Sequence, residues 1–234
     1  MTMKPYIFLS ENGLSLAKDV NGNAIDIRSL ENVQPPYEMT VFFTDRYGNI
    51  INRSIDTLAI TNTNIVNMTV SAADGLGNYS QIFEVSGNAE SSLFIKNETQ
   101  VETSSLRFNI PDDTFNPSAI NAKIGVYSFL CNLWAITDSN YKIEANQGGY
   151  RVVSGRYIHW ADYNKWVSKV KIENLPKEQF NLLTEQADKG EMTVVPYQEL
   201  EAEEIYECSV NREYSWGLDR KTGLFELTLE FNEL

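Results

Sequence analysis

Ile205–Tyr214 (IYECSVNREY) and Leu224–Phe231 (LFELTLEF) decide the fold class. In each stretch apolar and polar residues alternate. Phe225, Leu227, Leu229 and Phe231 point to one face of an extended chain, and Glu226, Thr228 and Glu230 to the other. That period of two is the mark of a half-buried antiparallel strand. The SWGLDRKTG segment between them is rich in turn residues and ends in Gly223, so the pair predicts a C-terminal hairpin.

Upstream, the same signal recurs in short runs. Tyr6–Leu9, Tyr37–Thr44, Ile50–Leu58, Thr57–Ala72, Tyr79–Val85, Ser91–Asn97 and Ser104–Ile110 read as strands. The runs DVNGNAID (19–26), DRYGN (45–49) and DGLGN (74–78) read as turns between them. Ile124–Ile136 fits both a helix face and a strand face; its β-branched and aromatic content favours strand. Tyr141–Ala145, an NQGG turn and Tyr150–Trp160 read as a further hairpin, and Trp166–Ile172 as another strand.

One segment is helical, near 176–189. Pro176 suits the first helical position, with Asn174 or Leu175 as cap. Phe180, Leu183 and Ala187 form one stripe, and Lys189 with Gly190 closes the helix. Met192–Val195 reads as a strand ended by Pro196, which predicts an edge position. The expected architecture is mainly β, with sandwich- or barrel-like antiparallel sheets and one short helix. PDDTFNP (111–117) is the expected boundary, giving β units at 1–112 and 113–234.

Composition narrows the function. The 234 residues carry 32 acidic and 19 basic side chains, a net charge of −13, which argues against a general nucleic-acid or anionic-membrane binder. The surplus is strongest between Glu173 and Glu213. Two distant cysteines, Cys131 and Cys208, make neither a disulfide framework nor a zinc site. The N-terminal MTMKPYIFLSENG has no signal-peptide core, which predicts a chain made and kept in a cytoplasm. On that expectation the sequons at Asn52, Asn67, Asn78 and Asn97 carry little weight.

The tests for chemistry predict no enzyme and no cofactor. His159 is the single histidine; Asp162 follows it, but no nucleophile elbow accompanies the pair. Glu199, Glu201, Glu203 and Glu204 are abundant acids of which no two are marked out as a glycosidase pair. Asp19, Asn21, Asn23 and Asp26 resemble calcium donors, yet Ala24 stands where the loop needs glycine and Leu30 where it needs the closing glutamate. No metal site is expected.

Aromatic residues supply the remaining candidates. Tyr157, Trp160 and Trp166, with Tyr163 among them and Trp216 farther along the chain, are candidates for stacking on sugars. Tyr206, Trp216, Phe225 and Phe231 are candidates for the core or a subunit interface.

WVSKVKIENLP (166–176), TVVPY (193–197), IYECSVNREYSW (205–216) and LFELTLEFNEL (224–234) resemble the C-terminal parts of phage and prophage tail or baseplate proteins, and SSLRFNIPDD (104–113) is compatible with such a component. The resemblance covers less than a third of the chain and assigns no residue a role. It implies a non-enzymatic virion subunit of a tail, neck or baseplate. Such a subunit would be made in the host cytoplasm, form a homo-oligomer and contact other virion structural proteins. Long edge strands and the terminal hairpin would suit strand addition between subunits. The alternative expectation is a carbohydrate- or receptor-binding β-sandwich module.

Overall fold

The structure, a computed structural model, describes residues 6–14, 16–45, 47–111, 119–133, 135–137, 142–151, 157–196 and 205–234; from 134 to 165 only the backbone is described. The described chain is mostly antiparallel β-sheet with one α-helix, and it falls into two compact units.

The first unit runs from Leu9 to Phe129 and is a β-sandwich. After β1 (Tyr6–Leu9) come β2 (Leu16–Asp19), β3 (Ala24–Ile25), a 3-10 turn (Ile27–Ser29), β4 (Leu30–Val33), β5 (Tyr37–Phe42) and β6 (Arg53–Thr61). There follow β7 (Met68–Ala73), β8 (Tyr79–Val85), β9 (Leu93–Thr103), β10 (Ser105–Ile110) and β11 (Ile120–Tyr127). One sheet has the order β3-β2-β5-β10-β7-β8 and the other β4-β11-β6-β9.

Alternation explains the packing. In β10, Leu106, Phe108 and Ile110 are buried while Arg107 and Asn109 face out. Phe108 lies between Met39 of β5 and Val70 of β7 in register, and all three are essentially sealed from solvent. The facing sheet contributes Leu58 opposite Val126 and Ile60 opposite Ile124 to the same core. Side chains from both sheets thus fill one interior, the condition for a stable sandwich.

Three turns share one design. In Asp19–Asn23, Asp45–Asn49 and Asp74–Asn78 the aspartate Oδ1 accepts the backbone N–H groups two and four residues on, at 2.8–2.9 Å. Its Oδ2 accepts the asparagine Nδ2 at 2.8–3.0 Å. The glycine between them, at φ of +83°, +84° and +85°, adopts the left-handed backbone that a Cβ disfavours. Asp19 thus uses its carboxylate to hold a turn, the reading preferred above over a calcium loop.

The second unit takes β1 up to Phe8 and, of the chain from Leu130 onward, all but Glu199–Ile205. Its strands are β12 (Phe129–Leu133), β13 (Ala135–Thr137), β14 (Lys142–Arg151) and β15 (Tyr157–Leu175), then α1 (Lys177–Lys189), β16 (Glu191–Val195), β17 (Tyr206–Val210), β18 (Ser215–Leu218) and β19 (Phe225–Glu233). They form one sheet in the order β12-β1-β16-β17-β19-β15-β13, with β14 also on β15 and β18 also on β19. Leu183 and Ala187 of α1 pack with Val170, Ile172, Leu227 and Leu229 in its core.

Several expectations need correction. The units divide at Phe129/Leu130, not at 112/113, because β11 pairs with β4 and β6 of the sandwich; the expected boundary stretch lies largely at 112–118, outside the described residues. The described residues of 124–136 are mostly in strands as expected, but in three of them, β11 in the first unit and β12 and β13 largely in the second. NQGG does not turn the chain: β14 runs straight through it, pairing with β15 across an irregularity between Asn146 and Gln147. Pro176 is the N-cap itself, with ψ 150°, so the helix starts at Lys177, one residue later than expected. β16 is interior, between β1 and β17; Pro196 follows its last residue and so removes no ladder hydrogen bond.

The terminal hairpin forms, with its first arm broken. β17 ends at Val210, where the Asn211 N–H donates to the Glu230 carbonyl at 3.0 Å and the Asn211 Oδ1 accepts the Glu213 N–H at 3.0 Å. The chain resumes as β18, which uses SWGL of the expected connection. The turn proper is Asp219–Gly223, where the Asp219 carboxylate accepts the Lys221 N–H at 2.8 Å and the Thr222 hydroxyl at 3.0 Å.

Candidate functional site

Core and surface aromatics separate clearly. Phe231 is fully buried. Tyr206 is half-buried and stacks on Trp166 at 4.7 Å with an interplanar angle of 10°. Trp166, expected among the sugar-stacking residues, is 1 % exposed and also packs on Phe231, so it belongs to the core and meets no ligand. It sits on the face of β15 that points inward with Val170 and Ile172. The side chains of Tyr157, Trp160, Tyr163 and His159 lie outside the described residues, as do Glu199, Glu201, Glu203 and Glu204.

Trp216 is the exception: 60 % of it is exposed. Its ring lies 6.2 Å from Phe225 and 5.8 Å from Phe180, and those two stack at 4.3 Å. Phe180 comes from α1 and Phe225 from β19, both half-buried, so the exposed indole rests on a fixed aromatic base. Leu218, two residues on and on the same face of β18, is 48 % exposed.

In the sandwich unit a cleft of about 340 Å³ opens beside the β2–β3 hairpin. Leu14, Ala17 and Ile27, all buried, form its floor; Ile25 is half-buried and Leu16 exposed; Asp26 and Arg28 stand at its rim. The rim is held in place. The Asp26 Oδ1 caps the 3-10 turn by accepting the Arg28 N–H at 2.9 Å, and Arg28 Nη2 donates to the Leu14 carbonyl at 3.2 Å. The accessible lining is mostly polar, its exposed apolar part being Leu16 and Ile25, and the volume lies at the low end of the range for small-ligand sites. Sequence reading missed it, because Leu14 and Arg28 become neighbours only when the β2–β3 hairpin folds back. The local signal was DIR (26–28), where an aspartate caps a turn that carries an arginine.

Burial disfavours the thiolate form of both cysteines. Burial pushes Cys131 up to about 12, and burial with the charges of Glu233 and Glu207 pushes Cys208 up as well. Among the described residues, no three His, Cys, Asp or Glu side chains group as a metal site would require. No described helix is long and apolar enough to cross a membrane.

No family model matches the chain, and no curated protein matches it. Solved structures do. A family 32 carbohydrate-binding module from Streptococcus pneumoniae EndoD is 11 % identical; the match covers 51 % of this chain and 99 % of that one, with a TM-score of 0.38. The family 32 module from C. perfringens NanJ, in complex with galactose, is 16 % identical over 41 % of this chain and 69 % of that one, with a TM-score of 0.33. CpGH89CBM32-5 from Clostridium perfringens, in complex with GalNAc-β-1,3-galactose, is 14 % identical over 41 % and 68 %, with a TM-score of 0.32. These matches are carbohydrate-binding modules and not phage tail proteins. The expectation of a phage virion subunit is corrected on that finding and set aside.

Proposed function

We propose that the chain is a non-catalytic recognition module whose β-sandwich holds a carbohydrate, free or on a receptor, in the cleft between Leu14 and Arg28. The cleft itself carries this reading. The C–H face of a sugar ring would lie against Leu16 and Ile25, the accessible apolar side chains of the cleft. Its hydroxyls would donate to the Asp26 carboxylate and accept from the Arg28 guanidinium, both already oriented by the 3-10 turn. Preorientation matters because ordering a long side chain on binding costs about 0.5–1.5 kcal/mol.

Calorimetric titration with a panel of mono- and disaccharides tests this. A saturable signal is expected, weakened about tenfold or more in Arg28→Ala, since a hydrogen bond to a charged group contributes about 1.5–3 kcal/mol. An unchanged thermal transition would show that the variant is folded. Absence of binding across the panel, or binding undiminished in both Arg28→Ala and Asp26→Ala, would overturn the assignment.

A further inference from the structure

The edge of β18 is the other surface that calls for a partner, and it shares no residue with the sandwich cleft. Among the described residues β18 pairs only with β19. The Asp219 N–H donates to Leu224 of the partner arm at 2.9 Å. Backbone groups alternate sides along a strand, so those of Gly217 and Ser215 also face β19, and those of Trp216 and Leu218 face away from it. The open edge thus carries outward N–H and C=O groups at the two residues whose apolar side chains are 60 % and 48 % exposed. Natural edges are normally blunted by shortness, charge, proline or a bulge; β18 (SWGL) is short, at four residues, but has neither charge nor proline.

We propose that this edge pairs with the β18 edge of a second copy, antiparallel, about a two-fold axis through Gly217. The register follows from the residues. Trp216 of one copy faces Leu218 of the other, and each pair exchanges two backbone hydrogen bonds. Gly217 faces its own equivalent in a non-hydrogen-bonded pair, where Cα atoms approach to about 4.5 Å. The glycine leaves that close approach unobstructed. Trp216 and Leu218 lie on the face that α1 covers, so each indole, backed by Phe180 and Phe225, would close over the leucine of the other copy.

Charge agrees with the register. Two chains of net charge −13 repel, so association needs local compensation. The same axis brings Glu213 of each copy toward Lys221 of the other and Tyr214 toward Arg220. The basic pair Arg220–Lys221 stands at one end of β18 and the acid Glu213 at the other, as a self-complementary edge requires. An interface of two four-residue strands falls well below the roughly 1,600 Å² of a standard stable complex, so the dimer is weak.

Two experiments on the full chain test the pairing. Sedimentation velocity over a wide concentration range should show a rise from the monomer mass of 26.6 kDa toward twice that value. Leu218→Lys should weaken association about tenfold or more. Gly217→Cys should form an intermolecular disulfide on mild oxidation, because the expected Cα separation lies within the bridging range of about 4.4–6.8 Å. The new side chain is accommodated, its Cβ meeting only Glu226 at 3.9 Å, and the native thiols are buried. Gly75→Cys, in an open turn, is the control for random collision. A wild-type monomer at every concentration, with Gly217→Cys cross-linking no faster than Gly75→Cys, would overturn the proposal and leave the edge to a strand of another protein. Cross-linking abolished by adding Leu218→Lys, in a variant with an unchanged thermal transition, would establish it.

Discussion

Replacing Ser168 by alanine should stabilise the protein. Ser168 is 1 % exposed, faces Phe231 in register across β15 and β19, and lies on the core-facing side of β15 between Trp166 and Val170. Among the described residues its hydroxyl meets no hydrogen-bond partner. A buried polar group without a partner forfeits about 1–3 kcal/mol of hydration. Removing the oxygen recovers that and leaves a void of roughly 15 Å³, which at about 24 cal/mol per Å³ costs about 0.4 kcal/mol. The net gain is therefore about 0.6–2.6 kcal/mol. For a chain of this length each kcal/mol moves Tm by about 2–4 °C, so Tm should rise by roughly 1–10 °C. Urea unfolding followed by circular dichroism is the assay, and the midpoint should rise at constant m. A midpoint that falls by the equivalent of about 0.5 kcal/mol or more would mean that the hydroxyl is bonded in solution and would refute the reasoning.

Gly48→Ala and Gly75→Ala should differ although both sites are open to solvent: Gly48 sits at φ +84° and Gly75 is not at positive φ, so only the first should lose about 1–2 kcal/mol in the same unfolding assay. The carboxyls of Asp19, Asp45 and Asp74 are held below their usual value of 3.8, chiefly by the side-chain amides of Asn23, Asn49 and Asn78, and Asp219 is lowered first by the Lys221 N–H. In the window below 3.8 the unfolded chain binds more protons than the native one; the stability these groups contribute is complete above that window and is lost as pH falls through the native values. Carboxyl-carbon NMR titration should place all four midpoints below 3.8, and Asn49→Ala should return the Asp45 midpoint toward it.

Local patterns were legible wherever one face of an element is apolar over its whole length. LFELTLEF became β19 with Leu227, Leu229 and Phe231 inward, and the stripe Phe180–Leu183–Ala187 became the inner face of α1. The DVNGN, DRYGN and DGLGN turns were equally legible, since their hydrogen bonds close within five residues. Patterns failed where a break is compensated through space. The glycines of NQGG stay in a strand because the β15 ladder continues before and after them, and Asn211 interrupts an alternating run because Glu230 takes its N–H. The candidate cleft was not legible at all, since its floor and rim come from both arms of a hairpin and the turn that follows it.

The sequence by itself determined that the chain is built of antiparallel strands with one helix, because period and turn chemistry act over a few residues and need no partner to be read. Tertiary structure alone decided which sheet each strand joins: Tyr6–Phe8 pack with strands beyond residue 129, while Ile120–Tyr127 close the sandwich that precedes them. It also decided which of the two described tryptophan side chains meets solvent. Trp166 and Trp216 both stand in strands, but Trp166 is enclosed by Tyr206 and Phe231, whereas Trp216 lies on a strand that among the described residues pairs only with β19. An alternating pattern says that one face is buried; what buries it, and where that cover ends, depends on contacts between residues far apart in the chain.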